Sequence, residues 1–253
     1  MLHALRHGSA TDRPPVLIAH GLFGSARNWG AIARALAADR AVIAVDMRNH
    51  GQSGWSDRHS YADLAADLAE VAAAEGTAVD VVGHSMGGKA AMRLALDHPG
   101  LVRRLAVIDI APVAYGHTQQ GLIDAMRALD LTRLRARSEA DRRLSAHVDD
   151  PGVRAFLLQS LDLRADPPGW QLNLDALEAN MAEILGWDGA GQFDGPTLFL
   201  SGGASDYVGP DHRPAIRAHF PAARLAKIPG AGHWLHADRP AATAETLRAF
   251  LDA

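Results

Sequence analysis

The chain has 253 residues, enough for one large hydrophobic core. Hydrophobic residues make up 48% and charged residues 21%, which excludes a disordered chain. A net charge of -4 gives no basic field to hold a phosphate backbone, so nucleic acid is not an expected partner. Cysteine is absent, which removes disulfides, thiolate metal ligands and a cysteine nucleophile together. No apolar stretch approaches the ~20 residues of a membrane span. The N-terminal MLHALRHGSATDRPP lacks a long apolar region, so a cytoplasmic protein is expected.

In chain order, VLIAH (Val16 to His20) reads as a buried strand, followed by a Gly-containing turn and a helix from about Asn28 to Ala38. AVIAVD (Ala41 to Asp46) is a second strand, and after a polar loop a helix starts near Ser60, with Ser60 as N-cap and Asp63 in its first turn. AVDVVG (Ala78 to Gly83) turns sharply into a helix from about Met86 to Asp97, which Pro99-Gly100 ends. RLAVID (Arg104 to Asp109) is a fourth strand. From Pro112 to about Phe193 the pattern changes to helical stretches such as GLIDAMRAL and VRAFLLQSL, with no convincing strand. Alternation resumes with TLFL (Thr197 to Leu200), a helix near Asp211 to His219, RLAKI (Arg224 to Ile228) and a helix from about Pro240.

Alternating strands and helices predict an α/β fold with a mostly parallel sheet. Residues 1–111 and 194–253 form the expected core, and 112–193 a helical cap inserted over its active face. The cap arginines (Arg127, Arg133, Arg135, Arg137, Arg142, Arg143, Arg154, Arg164) are interleaved with Asp and Glu, the pattern of solvated helix faces.

The strongest chemical signal is Gly83-His84-Ser85-Met86-Gly87, a G-x-S-x-G between a strand and a helix. Such a turn holds a serine hydroxyl exposed at the C-terminal edge of a sheet, and small neighbours let it close. The N–H of Met86 then points out of a helix N-terminus, where a developing oxyanion is favoured. His20-Gly21-Leu22-Phe23-Gly24-Ser25 follows a strand and can bring the Leu22 N–H to the same point. Gly230-Ala231-Gly232-His233-Trp234, between the last strand and the last helix, places His233 as general base. His236 could share a metal with His233, but no H-E-x-x-H or carboxylate set accompanies the pair. Lys89 lies four residues after Ser85 and does not fit an S-x-x-K site.

These residues resemble the α/β-hydrolase superfamily over nearly the whole chain. HGLFGS, DMRNHGQS (Asp46 to Ser53), GHSMGGKA, IDIAPV and GAGHW are similar to the carboxylesterase group that includes the bacterial esterase YbfF and the abhydrolase-domain-11 proteins. The resemblance implies an eight-stranded, mostly parallel core, a helical cap, no cofactor, and ester or thioester hydrolysis. The polar loop DMRNHGQS suggests no physical role of its own for Arg48 or Asn49.

The triad acid must lie between Ser85 and His233. Many relatives carry it in G-x-x-D-x-x-V after the strand at Thr197, but here Ser205 stands at that position and Asp206 comes one residue late. Asp109 ends the strand after the nucleophile's own, so its carboxylate emerges at the edge where sites of open α/β sheets gather. It also lies in the shared string IDIAP. Asp109 is therefore the expected acid, Ser205 a second hydrogen-bond partner and Asp206 the alternative acid.

The expected activity is hydrolysis of uncharged, short- to medium-chain carboxylic esters through a serine acyl-enzyme, with a small-molecule ester as partner and no metal. An acyl-CoA thioesterase or another cofactor-free reaction of the same fold is the alternative, and a non-catalytic receptor the other class. Phe23, Tyr207 and Trp234, with Phe156, Trp170 and Trp187 from the cap, are the candidate pocket walls. The sequence does not set the oligomeric state.

Overall fold

The computed structural model describes residues 1–132 and 134–253. Arg133, one of the cap arginines, lies outside them. The chain runs β1 (Ala4–His7), β2 (Val16–Ala19), α1 (Gly30–Leu36), β3 (Val42–Val45), α2 (Tyr61–Ala73), β4 (Val79–His84), α3 (Met86–Asp97) and β5 (Val102–Ile108). The cap follows, with α4 (Gln120–Arg127), α5 (Arg137–Leu144), α6 (Pro151–Leu158), β6 (Leu161–Asp162), β7 (Gly169–Trp170), α7 (Leu174–Ala179) and α8 (Met181–Leu185). The core resumes with β8 (Thr197–Gly202), α9 (Arg213–His219), β9 (Ala223–Ile228), α10 (Leu235–Asp238) and α11 (Pro240–Leu251). Ser60 caps α2 as expected, its Oγ accepting from the Asp63 N–H at 3.2 Å.

Seven strands form the main sheet in the order β1-β3-β2-β4-β5-β8-β9, all parallel except β1, which pairs antiparallel with β3. The eight strands implied by the resemblance become seven among the described residues, because nothing pairs with the outer edge of β1. β1 itself has no sequence signature: ALRH is short and mostly half-buried, as suits an edge strand. The cap, expected to be wholly helical, also contains the two-residue antiparallel pair β6–β7.

The inner strands are apolar on both faces because both faces are covered. Along β2, Leu17 and Ala19 join the layer built with α2, α3 and α9, whereas Val16 and Ile18 join the layer built with α1 and α11. Chain order reverses beside β2, since β3 lies on one side of it and β4 on the other. The loops leaving β2 and β4 are thus neighbours at the C-terminal edge, the usual ligand crevice of an open α/β sheet. Among the described residues no helix is long and apolar enough to cross a membrane.

Candidate active site

Ser85 joins β4 to α3 with φ 51° and ψ -119°, an uncommon backbone state for a side chain with a Cβ. Its N–H donates to the Ile108 carbonyl at 3.0 Å, and its carbonyl accepts from the Lys89 N–H at 3.0 Å. The flanking glycines are steric necessities. A Cβ on Gly83 would lie 2.3 Å from the Gly87 carbonyl oxygen, and one on Gly87 would lie 2.4 Å from that of His20. Ala19 and Gly83 are register partners, so the loop after β2 stands beside the serine. Leu22 and Met86 both line the cavity that contains Ser85, and neither N–H donates to another group among the described residues. Two such donors can receive the charge of a tetrahedral oxyanion.

Asp109 follows β5 in a second left-handed turn, at φ 50°, and is fully buried. Its Oδ1 accepts from the Gly202 N–H at 3.0 Å, while Oδ2 accepts from Ser205 Oγ at 2.5 Å and His233 Nδ1 at 2.7 Å. This bond assigns the imidazole proton to Nδ1 and leaves Nε2 free to accept one. No Ser85–His233 hydrogen bond is formed; such contacts commonly tighten only with substrate bound. Gly202 permits the approach of the histidine loop, since a Cβ there would lie 2.2 Å from the Gly232 carbonyl oxygen. The ring of Tyr207 stacks on that of His233 with centroids 3.9 Å apart. Asp206 is exposed, and its carboxylate makes no hydrogen bond to His233.

Two groups of positioning residues lie inside strings noted in the sequence but have no role assigned there. His84, buried beneath the site, donates from Nε2 to the His233 carbonyl at 2.9 Å and so holds the histidine loop from below. The DMRNHGQS loop supports the loop that follows β2 and carries Leu22 and Phe23. His50 donates from Nδ1 to the Arg48 carbonyl, and its Nε2 accepts from the Phe23 N–H at 3.1 Å. The Phe23 carbonyl accepts from Ser160 Oγ, which ties the loop to the cap. Asn49, at φ 66°, accepts at its backbone carbonyl from the Asn173 N–H, and Arg48 grips Asp67 through Nε at 2.6 Å and Nη2 at 2.8 Å. These residues, without a role from sequence, join the loop after β2, α2 and the cap.

The cavity is about 650 Å³ and takes in Ser85 and His233. Of the expected wall residues, Phe23, Tyr207, Phe156 and Trp234 line it. Trp170 and Trp187 do not. The Trp170 indole N–H donates to the Met126 carbonyl inside the cap, and that of Trp187 donates to His219 Nε2 on α9. Both rings anchor the cap instead of facing substrate. Several cap arginines are spent locally: Arg127 pairs with Asp175 and Glu178, Arg143 with Glu139 and Arg154 with Asp141. Among the described residues no group of three or more His, Asp or Glu side chains is arranged to hold a metal.

Burial makes two histidines near the site, His59 and His236, acid-sensitive. His59, which donates from Nε2 to Met86 Sδ, and His236, stacked on Trp29, are both pulled down to about 4 by desolvation. Their unfolded pKa is near 6.5, so stability is full above that pH and is lost as pH falls from about 6.5 through 4. Each contributes roughly 3 kcal/mol to the loss. Urea unfolding at pH 7.5 and 5 is expected to show a clearly lower midpoint at pH 5. In the double variant His59→Gln/His236→Gln that difference should shrink, and an unchanged difference would contradict the assignment.

A family model for the alpha/beta hydrolase fold matches residues 14–240. The chain is 41% identical to the sn-1-specific diacylglycerol lipase ABHD11 of Mus musculus, over 98% of this chain and 83% of that one. It is 38% identical to the esterase YbfF of Escherichia coli (strain K12), over 95% of this chain and 94% of that one. A solved marine microorganism esterase superposes with a TM-score of 0.93 at 36% identity, covering 98% of both chains. The chain belongs to the α/β-hydrolase family.

Proposed function

We propose that this α/β-hydrolase is a serine carboxylesterase acting on short- to medium-chain esters. Ser85 attacks the ester carbonyl as His233 Nε2 takes its proton, and the N–H groups of Leu22 and Met86 hold the oxyanion. Asp109 keeps the His233 proton on Nδ1 and stabilises the imidazolium, and Ser205 holds the Asp109 carboxylate. His233 then protonates the leaving alcohol, and water releases the acyl group by the reverse roles. The observation that carries this reading is the 2.7 Å contact by which buried Asp109 holds His233, a wall residue of the cavity that contains Ser85. The names of the relatives, esterase and lipase, support the same chemistry. The division into a core of 1–111 and 194–253 with a cap of 112–193, and residence in the cytoplasm, complete the proposal.

Substrate length separates the readings. A p-nitrophenyl ester series from acetate to palmitate, run beside acetyl-CoA and octanoyl-CoA, is expected to peak at or below about eight carbons and to exceed acyl-CoA turnover. A peak beyond twelve carbons would favour a lipase like the mouse relative. Faster turnover of the CoA thioesters would favour the thioesterase.

A further inference from the structure

A buried amine on the cavity wall takes no part in this mechanism. Lys89 lies on α3 one turn after Ser85, with only 1% of its surface exposed, and is among the residues that line the cavity. Nζ donates to the Leu185 carbonyl at 2.9 Å and the Gly186 carbonyl at 2.6 Å, where α8 ends. The ring centres of Tyr115 and Tyr61 stand 4.9 and 5.5 Å from it. No carboxylate pairs with Nζ among the described residues, and desolvation alone pulls its pKa down to about 7. The carboxylates that line the cavity, Asp149 and Asp150, precede α6 on the cap, and Asp150 is engaged in capping that helix.

An ammonium has three N–H donors, and the protein's oxygens use two of them. A buried cation with no counter-charge is costly unless something supplies one. Aromatic faces and helix-end carbonyls favour the charged form, but none of them neutralises it. The Lys89 backbone is one helical turn, about 6 Å along the axis, from that of Ser85, and both residues line the same cavity. An acyl chain of a few carbons attached at Ser85 can be directed within that cavity toward Lys89.

We infer that Lys89 is a substrate-binding residue, and that the preferred acyl group is a short dicarboxylic half-ester whose free carboxylate receives the third N–H of Nζ. The inference rests on the esterase reading and narrows it, replacing the uncharged acyl chain expected from sequence with one ending in an anion.

The test compares p-nitrophenyl hemiglutarate with its neutral equal-length partner, p-nitrophenyl methyl glutarate. The native protein is expected to favour the free acid by about ten- to a hundredfold in kcat/KM, the range of a hydrogen bond to a charged group. In Lys89→Met and Lys89→Gln the ratio should fall to one or below, whatever happens to the absolute rates. Gln keeps a donor for the helix-end carbonyls, so it separates the lost charge from a loosened cap. A native ratio of one or less, or a ratio unchanged in Lys89→Gln, overturns the inference. Should neither variant fold, the native ratio alone decides. Hydrolysis of the neutral ester without preference sinks only the role of Lys89, whereas no hydrolysis of either ester sinks the esterase reading itself.

Discussion

Ser85→Ala is expected to lower kcat for a short p-nitrophenyl ester by on the order of 10⁴ to 10⁶ while leaving the fold intact. Both halves follow from the elbow. Among the described residues the Ser85 hydroxyl makes no hydrogen bond, so its removal leaves no buried partner unsatisfied. The backbone bonds that hold the turn, to Ile108 and from Lys89, involve only main-chain atoms of residue 85 and survive the change. The oxyanion donors and the cavity walls also survive, so KM should move little. Circular dichroism and the urea midpoint check the fold. Retention of even a tenth of native kcat in a clean preparation would remove Ser85 as nucleophile.

Asp109→Asn is expected to cost kcat on the order of 10³ to 10⁴, with Asp206→Asn staying within about twofold of native. Three donors converge on the Asp109 carboxylate, from Gly202, Ser205 and His233. An asparagine has one acceptor oxygen and one donor nitrogen. If the oxygen keeps the buried Gly202 N–H satisfied, the amide nitrogen faces His233 Nδ1 and donates to it. The imidazole proton then moves to Nε2, the atom that must accept from Ser85, and the base is present in the wrong tautomer. Asp206 is exposed and one residue away from the Ser205 that touches Asp109, so its neutralisation reaches the histidine only through solvent. A large loss in Asp206→Asn beside near-native Asp109→Asn would reverse the two assignments.

The parts of the molecule legible in the sequence are those whose causes are local. The run Val79–His84 followed at once by Met86–Asp97 specifies a strand–turn–helix locally, with Gly83 required by the Gly87 carbonyl one turn on, although Gly87 itself is required by the distant His20 carbonyl. Parallel strands buried on both faces announce themselves as apolar runs, so β2, β3, β4, β5 and β8 could be placed within a few residues. β1 could not, because Arg6 and His7 break any apolar pattern and only pairing with β3 makes the segment a strand. What depends on contacts between distant segments was also hidden. Trp170 and Trp187 resemble pocket walls by composition, and only the positions of Met126 and His219 show them to be anchors. Asn49 and His50 read as a polar loop until the cap backbone at Asn173 and the loop after β2 at Phe23 are seen to depend on them. Lys89 could be rejected as a base by spacing, yet the lack of a buried counter-charge appears only once the fold surrounds it.

The central claim is that Ser85 is a nucleophile activated by the folded site. Covalent labelling by a fluorophosphonate, mapped by peptide mass spectrometry on native protein, on heat-denatured protein and on Asp109→Asn, tests it most directly. The account predicts a single adduct, on Ser85, that forms rapidly on the native protein, slowly on Asp109→Asn and not at all after denaturation. A native protein that stays unlabelled while a known serine esterase reacts alongside it, or one that carries its adduct on another residue, would contradict it.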